Sequence, residues 1–146
     1  MKISSPAFGE QQKIPAKYTC DGANINPALT IEGVPDRAQS LVLIVDDPDA
    51  PGGIWTHWTV WNISPKTEAI DENSVPEGAV EGQTSFGRPG WGGPCPPSGT
   101  HRYFFKLFAL DAKLDLAASA GIAELEAATK GHIIESTQSV GLYSRS

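Results

Sequence analysis

Apolar and polar positions in this chain come in short runs, cut apart by glycine and proline, and most runs follow the two-residue period of a strand. Ser40-Leu41-Val42-Leu43-Ile44-Val45-Asp46 is apolar on both faces and predicts a central strand. Ile54 to Ile63 reads as a second. Simple alternation puts Trp55, His57, Thr59 and Trp61 on one face, with Thr56, Trp58, Val60 and Asn62 on the other. Arg102 to Leu110 is aromatic and apolar and predicts a buried strand, and Ile133 to Tyr143 a closing strand with Gly141 inside it. Leu29-Thr30-Ile31 predicts a shorter strand, Ile3 and Phe8 anchor an opening extended segment, and Ala79-Val80 marks a short strand in the polar connection 64–86. Helical spacing occurs once, over 121–130, where Ile122, Leu125 and Ala128 share a face. Ser119 is its expected N-cap and Gly131 its stop.

Two turn-rich stretches lie at the mouths of these strands. Asp46-Asp47-Pro48-Asp49-Ala50-Pro51-Gly52-Gly53 is acidic. Gly90-Trp91-Gly92-Gly93-Pro94-Cys95-Pro96-Pro97-Ser98-Gly99 is too rich in glycine and proline to be helix, and it delivers His101, Arg102 and Tyr103 to the start of a core strand. Loops held by a rigid scaffold commonly carry binding groups. Alternation places Arg102 opposite His101 and Tyr103, facing away and pairing with an acid such as Asp49.

The chain has 146 residues, enough for one domain spanning 1–146 with its own core. Its fifteen glycines and twelve prolines favour many turns and short strands. A net charge of −6, without clustered Lys or Arg, argues against nucleic-acid binding and against an acidic membrane surface. No run approaches the roughly 20 apolar residues of a membrane span, and the N-terminus lacks a signal-like apolar segment. The expected location is cytoplasmic. Cys20 and Cys95 lie far apart in sequence and are expected as free thiols in that reducing compartment.

Three readings fit Asp47, Asp49, His57, His101 and Tyr103. The first is structural: Asp-Pro-Asp caps a turn, and a strand histidine is a satisfied core group. The second is a zinc or iron site, although no helical His-x-x-x-His or close Cys/His pair accompanies it. The third is a nucleophilic enzyme built on Cys95 with His57 or His101, although Cys95 sits between prolines and on no helix N-terminus.

The order and spacing of Asp47-Pro48-Asp49-Ala50-Pro51, His57, Gly93-Pro94 and Pro97 through Gly99 to His101-Arg102-Tyr103 resemble the phosphatidylethanolamine-binding protein family, especially its short bacterial branch of Raf kinase inhibitor-like proteins. The resemblance covers essentially the whole chain. It implies a mostly β fold: a central antiparallel sheet, a smaller second sheet and one or two short helices. It also implies a small anion pocket lined by Asp47, Pro51, His57, Gly93, Pro94, His101 and Tyr103, with Trp55 nearby. Cis peptide bonds at Ala50-Pro51 and Gly53-Ile54 belong to the same pattern.

The proposed lining has no lysine, so a phosphate there would rely on backbone N–H groups around Gly92 and Gly93, on the imidazoles and on the tyrosine hydroxyl. Asp47 is better suited to orient an imidazole or meet a cationic head group than to hold an anion. No matched nucleophile, base and oxyanion site is evident. The expectation is therefore a binding module without a cofactor, taking a phosphorylated or other anionic small ligand and regulating a protein partner such as a kinase. The alternative is a hydrolase or metal-dependent enzyme using the same His/Asp pocket. Homodimers occur in the bacterial branch, and Trp91 is the aromatic expected at such an interface.

Overall fold

A computed structural model describes residues 1–145; the final position of the expected 1–146 domain lies outside the described residues. In chain order the elements are β1 (Lys2–Ser4), β2 (Gln12–Lys13), a 3-10 turn (Ala16–Tyr18), β3 (Leu29–Glu32), β4 (Ser40–Asp47), β5 (Trp55–Ile63), β6 (Ala69–Ile70), β7 (Val80–Glu81), β8 (His101–Leu110), α1 (Ile122–Thr129) and β9 (Ile133–Tyr143). They form a six-stranded sheet in the order β2-β9-β8-β4-β5-β7 and a three-stranded sheet in the order β1-β3-β6. All pairings are antiparallel except β2 with β9.

The doubly apolar strand β4 lies inside the large sheet, between β8 and β5, as its pattern requires. Its pleat divides its side chains between two cores. Leu41, Leu43 and Val45 join Phe105, Leu107 and the small-sheet residues Ile3, Leu29, Ile31 and Ile70 in the inner core. Val42 and Ile44 join Trp61, Leu110, Leu114 and Leu125 under α1 on the outer face. The same alternation sends the adjacent acids Asp46 and Asp47 to opposite faces. Asp46 pairs with Lys106 outside, and Asp47 meets His101 inside.

β5 departs from simple alternation. Val45 pairs with Trp58, but Asp46 pairs with Thr56, so His57 is the extra residue of a bulge. A bulge shifts the parity of everything beyond it. His57 and Trp58 therefore both serve the inner layer, where Trp58 and Val60 join the core, while Trp61 moves to the outer one. The expected shared face of His57 and Trp61, opposite Trp58, is corrected accordingly.

Four further expectations change. Cys20 and Cys95 form a disulfide, with Cα atoms 5.5 Å apart, because the 3-10 turn and the 90–99 stretch fold against each other; neither thiol is free. The N-cap of α1 is Gly121, not Ser119: the Glu124 carboxylate reaches back to accept from the Gly121 amide at 3.2 Å. Trp91 is buried between Trp58 and Phe105 and is not a surface aromatic. The Ala50-Pro51 and Gly53-Ile54 bonds are trans, and Gly53 carries the turn with φ 117°, a conformation glycine adopts at little steric cost.

Candidate functional site

A hollow of about 230 Å³ opens at the end of the large sheet where β4 leaves, β5 begins and β8 begins. Asp47, Pro51, Trp55, His57, His101 and Tyr103 line it, with Ala50, Phe86, Cys95, Pro96 and Pro97. Six of the eight residues expected from sequence therefore meet there. Gly93 and Pro94 do not line it; they form the layer behind its wall. A Cβ on Gly93 would lie 2.3 Å from the Tyr18 carbonyl oxygen, so only glycine allows the two chain segments to approach this closely.

Each imidazole is held by one ring nitrogen. His57 Nδ1 lies 2.6 Å from the Gly92 carbonyl oxygen, so it is the protonated nitrogen and donates. His101 Nδ1 lies 2.6 Å from Asp47 Oδ2 and donates to it. The other Asp47 oxygen accepts from the Asp49 amide at 2.7 Å. One carboxylate thus orients an imidazole and closes the first turn of its own loop. The Nε2 edge of each ring has no partner among the described residues. The rings of His57 and His101 flank Tyr103, with centroids 5.2 and 6.5 Å from its ring.

Burial holds the His57 imidazole below its ordinary value, against the opposing pull of the Gly92 carbonyl and the Asp47 charge. Burial also raises the Tyr103 hydroxyl, and the negative field of Asp47 adds to it. That hydroxyl is buried near Asp47 without a hydrogen bond of good geometry. At the rim Arg102 turns outward as parity requires. It grips Asp49 through Nε and one terminal nitrogen, at 2.9 and 2.8 Å. The guanidinium holds the Asp49 carboxyl down to about 2, and its own charge is spent outside the hollow.

The expected backbone donors are not free. The Gly92 amide donates to the His57 carbonyl and the Gly93 amide to Asn24 Oδ1. With those two amides spent, the donors left at the hollow are the imidazoles, the Tyr103 hydroxyl, the Trp55 indole N–H and the Cys95 amide. Sequence reasoning missed Phe86. It is the one aromatic in the polar 64–86 connection, and reciprocal bonds between Thr56 and Ser85 bring it beside β5. Its ring meets Trp55 and His57 edge-on, each at 5.4 Å, and it packs over the missing side chain of Gly92. Among the described residues, no group of three or more His, Cys, Asp or Glu side chains comes together to hold a metal ion, and no helix is long and apolar enough to cross a membrane.

Comparison with known proteins bears on the family and the fold. The chain is 47% identical to a UPF0098 protein of Methanothermobacter thermautotrophicus over 99% of both chains. It is 50% identical to one of Pyrococcus horikoshii, over 99% of this chain and 77% of that one. Its fold matches a phosphatidylethanolamine-binding protein homolog of Chlamydia trachomatis with a TM-score of 0.95, at 40% identity over 99% of this chain and 97% of that one. It matches E. coli YbcL, described as a member of the mammalian PEBP family, with a TM-score of 0.93, at 30% identity over 99% and 98%. With residues 4–144 matching the model of the family itself, the chain belongs to the phosphatidylethanolamine-binding proteins.

Proposed function

We propose that this protein is a binding module for a small phosphoryl group, held between the Nε2 edges of His57 and His101. The observation that carries this reading is that both imidazoles are tethered through Nδ1 and leave Nε2 unpartnered at the same hollow. A neutral His57 offers a lone pair there, which accepts from the O–H of a monoprotonated phosphoryl group or from a head-group ammonium. A protonated His101 offers an N–H, which donates to an anionic oxygen while Asp47 balances its charge. One donor and one acceptor side by side suit a monoanionic phosphoryl group. The volume of about 230 Å³ is below the usual range for drug-sized ligands, so it suits a head group and leaves an acyl chain outside.

A binding role fits the chemistry better than catalysis. The cysteine nucleophile considered from sequence is tied into the Cys20–Cys95 bond. On this reading, any control over a protein partner, a kinase included, works through occupancy of the hollow. Phosphate titration followed calorimetrically tests the proposal. Affinity is expected to be higher near pH 6 than near pH 8, because the phosphoryl group then keeps the proton, lost with a pKa of about 6 in a phosphoester, that a neutral His57 accepts, and His57→Ala removes that preference. Affinity that rises with pH overturns the reading. Turnover of a phosphoester that disappears in His101→Ala would make the site a hydrolase instead.

A further inference from the structure

The wall of the hollow contains a disulfide that the binding reading does not use. Cys95 lines the hollow, and both cysteines are exposed to solvent. The two segments joined by the bond differ in how else they are held. On the Cys20 side, Asp21 accepts from the Tyr143 hydroxyl at 2.7 Å and pairs with Arg145, which fixes this turn to the closing strand. Residues 91–94 are also secured without the bond. Trp91 donates to the Tyr18 carbonyl at 3.1 Å, Gly93 to Asn24, and the Pro94 carbonyl accepts from the Cys20 amide at 3.1 Å.

The next stretch has no comparable hydrogen bonding. Among the described residues none of the amides of Cys95, Ser98 and Gly99 finds a protein partner, and Pro96 and Pro97 have no amide to offer, although Pro96 is buried. Yet Cys95, Pro96 and Pro97 form one side of the hollow. Apart from the packing of the buried Pro96, the disulfide is the tie that fixes this side, and an exposed disulfide is open to exchange with a reductant.

We propose that Cys20–Cys95 is a redox-sensitive clasp on the ligand site: a dithiol reductant releases residues 95–99 and weakens binding, while the rest of the fold stays in place. In the exchange the S–S bond breaks. Two electrons and two protons from the dithiol give thiols on Cys20 and Cys95, and the reductant leaves as its own disulfide. The cost to binding is the ordering of a wall that the oxidised protein holds in advance. The effect on ligand rests on the phosphoryl-binding reading; the release of the wall does not.

The test uses the full chain, oxidised and after reduction with dithiothreitol, with mass spectrometry confirming the two added hydrogens. Two quantities are read: affinity for inorganic phosphate, and the NMR backbone order parameters of Cys95, Ser98, Gly99 and Thr100. Reduction is expected to weaken phosphate binding about tenfold, as ordering one more backbone residue would. It should lower the order parameters at 95–100 while those of β4 and β8 stay unchanged, and reoxidation should restore both. The double variant Cys20→Ser with Cys95→Ser should behave as the reduced protein and ignore the reductant. Unchanged order parameters at 95–100 after confirmed reduction overturn the clasp, as do lowered ones with unchanged affinity. If phosphate binds neither form, the phosphoryl reading fails, and the order parameters alone decide whether the clasp exists.

Discussion

The molecule holds the same ion pair twice, in opposite surroundings. His101 meets Asp47 at 2.6 Å, and His132 meets Asp111 at 2.7 Å, each through Nδ1. The first pair is almost out of solvent, with side chains 8% and 5% exposed; the second is open, at 47% and 56%. His101 turns its free edge into a hollow shared with His57 and Tyr103, whereas the His132 pair bridges the end of β8 and the start of β9, at the base of the connection that carries α1. The residue types are the same and the distances nearly so. Burial, and what faces the other nitrogen, make one a candidate binding group and the other a surface contact between strand ends.

The largest expected contrast is in stability. Asp47→Ala removes one partner of a buried pair and strands the His101 N–H and the Asp49 amide together. A loss of about 3 kcal/mol is expected, the low end for breaking a buried pair from one side. Urea denaturation measures it, and phosphate affinity should fall as well, because His101 loses its orientation. If Asp47→Ala costs no more than a surface substitution, the buried pair is not what organises this end of the sheet.

pH sharpens the comparison, because burial acts on His57 as well. Its imidazole is held below its ordinary value, so the unfolded chain takes up the proton first as pH falls. The stability it contributes is full above about pH 6.5 and is lost as pH drops toward the folded value, with a slope of at most about 1.4 kcal/mol per pH unit. Carboxylates also titrate in acid, so the measurement is a difference: wild type minus His57→Gln, by urea denaturation near pH 7, 6 and 5. That difference should fall with pH. A difference that grows as pH falls would mean that burial does not govern this histidine.

Much of this arrangement was legible in the residues. The strand of 40–46 follows from a run that is apolar on both faces, and the outward turn of Arg102 toward an acid such as Asp49 from parity, because parity needs only a regular pleat. The bulge at His57 was not legible, since an inserted residue leaves no mark on composition yet reverses the faces after it, here until a second irregularity between Leu41 and Leu43 returns Ile63 to the inner core. The spent amides of Gly92 and Gly93 were hidden for a related reason: glycine marks where backbones approach, not which backbone or side chain arrives. The disulfide was missed because the expectation weighed compartment over geometry, while the geometry depends on a contact between residues 75 apart in the chain.

The smallest expected effect completes the contrast. Asp111→Ala removes the carboxylate of the open pair, but both groups remain accessible to water, which replaces the lost bond at little cost. Salt screens what attraction the pair has, and holding two exposed side chains in one geometry costs entropy that the variant recovers. The backbone bond from the Asp111 amide to the His132 carbonyl, at 3.0 Å, survives the substitution and keeps the ends of β8 and β9 together. A loss of about 0.5 kcal/mol or less is expected by urea denaturation, with phosphate affinity unchanged. If the loss instead approaches that of Asp47→Ala, burial is not the quantity that separates the two pairs, and the assignment of the inner pair to ligand binding loses its main physical support.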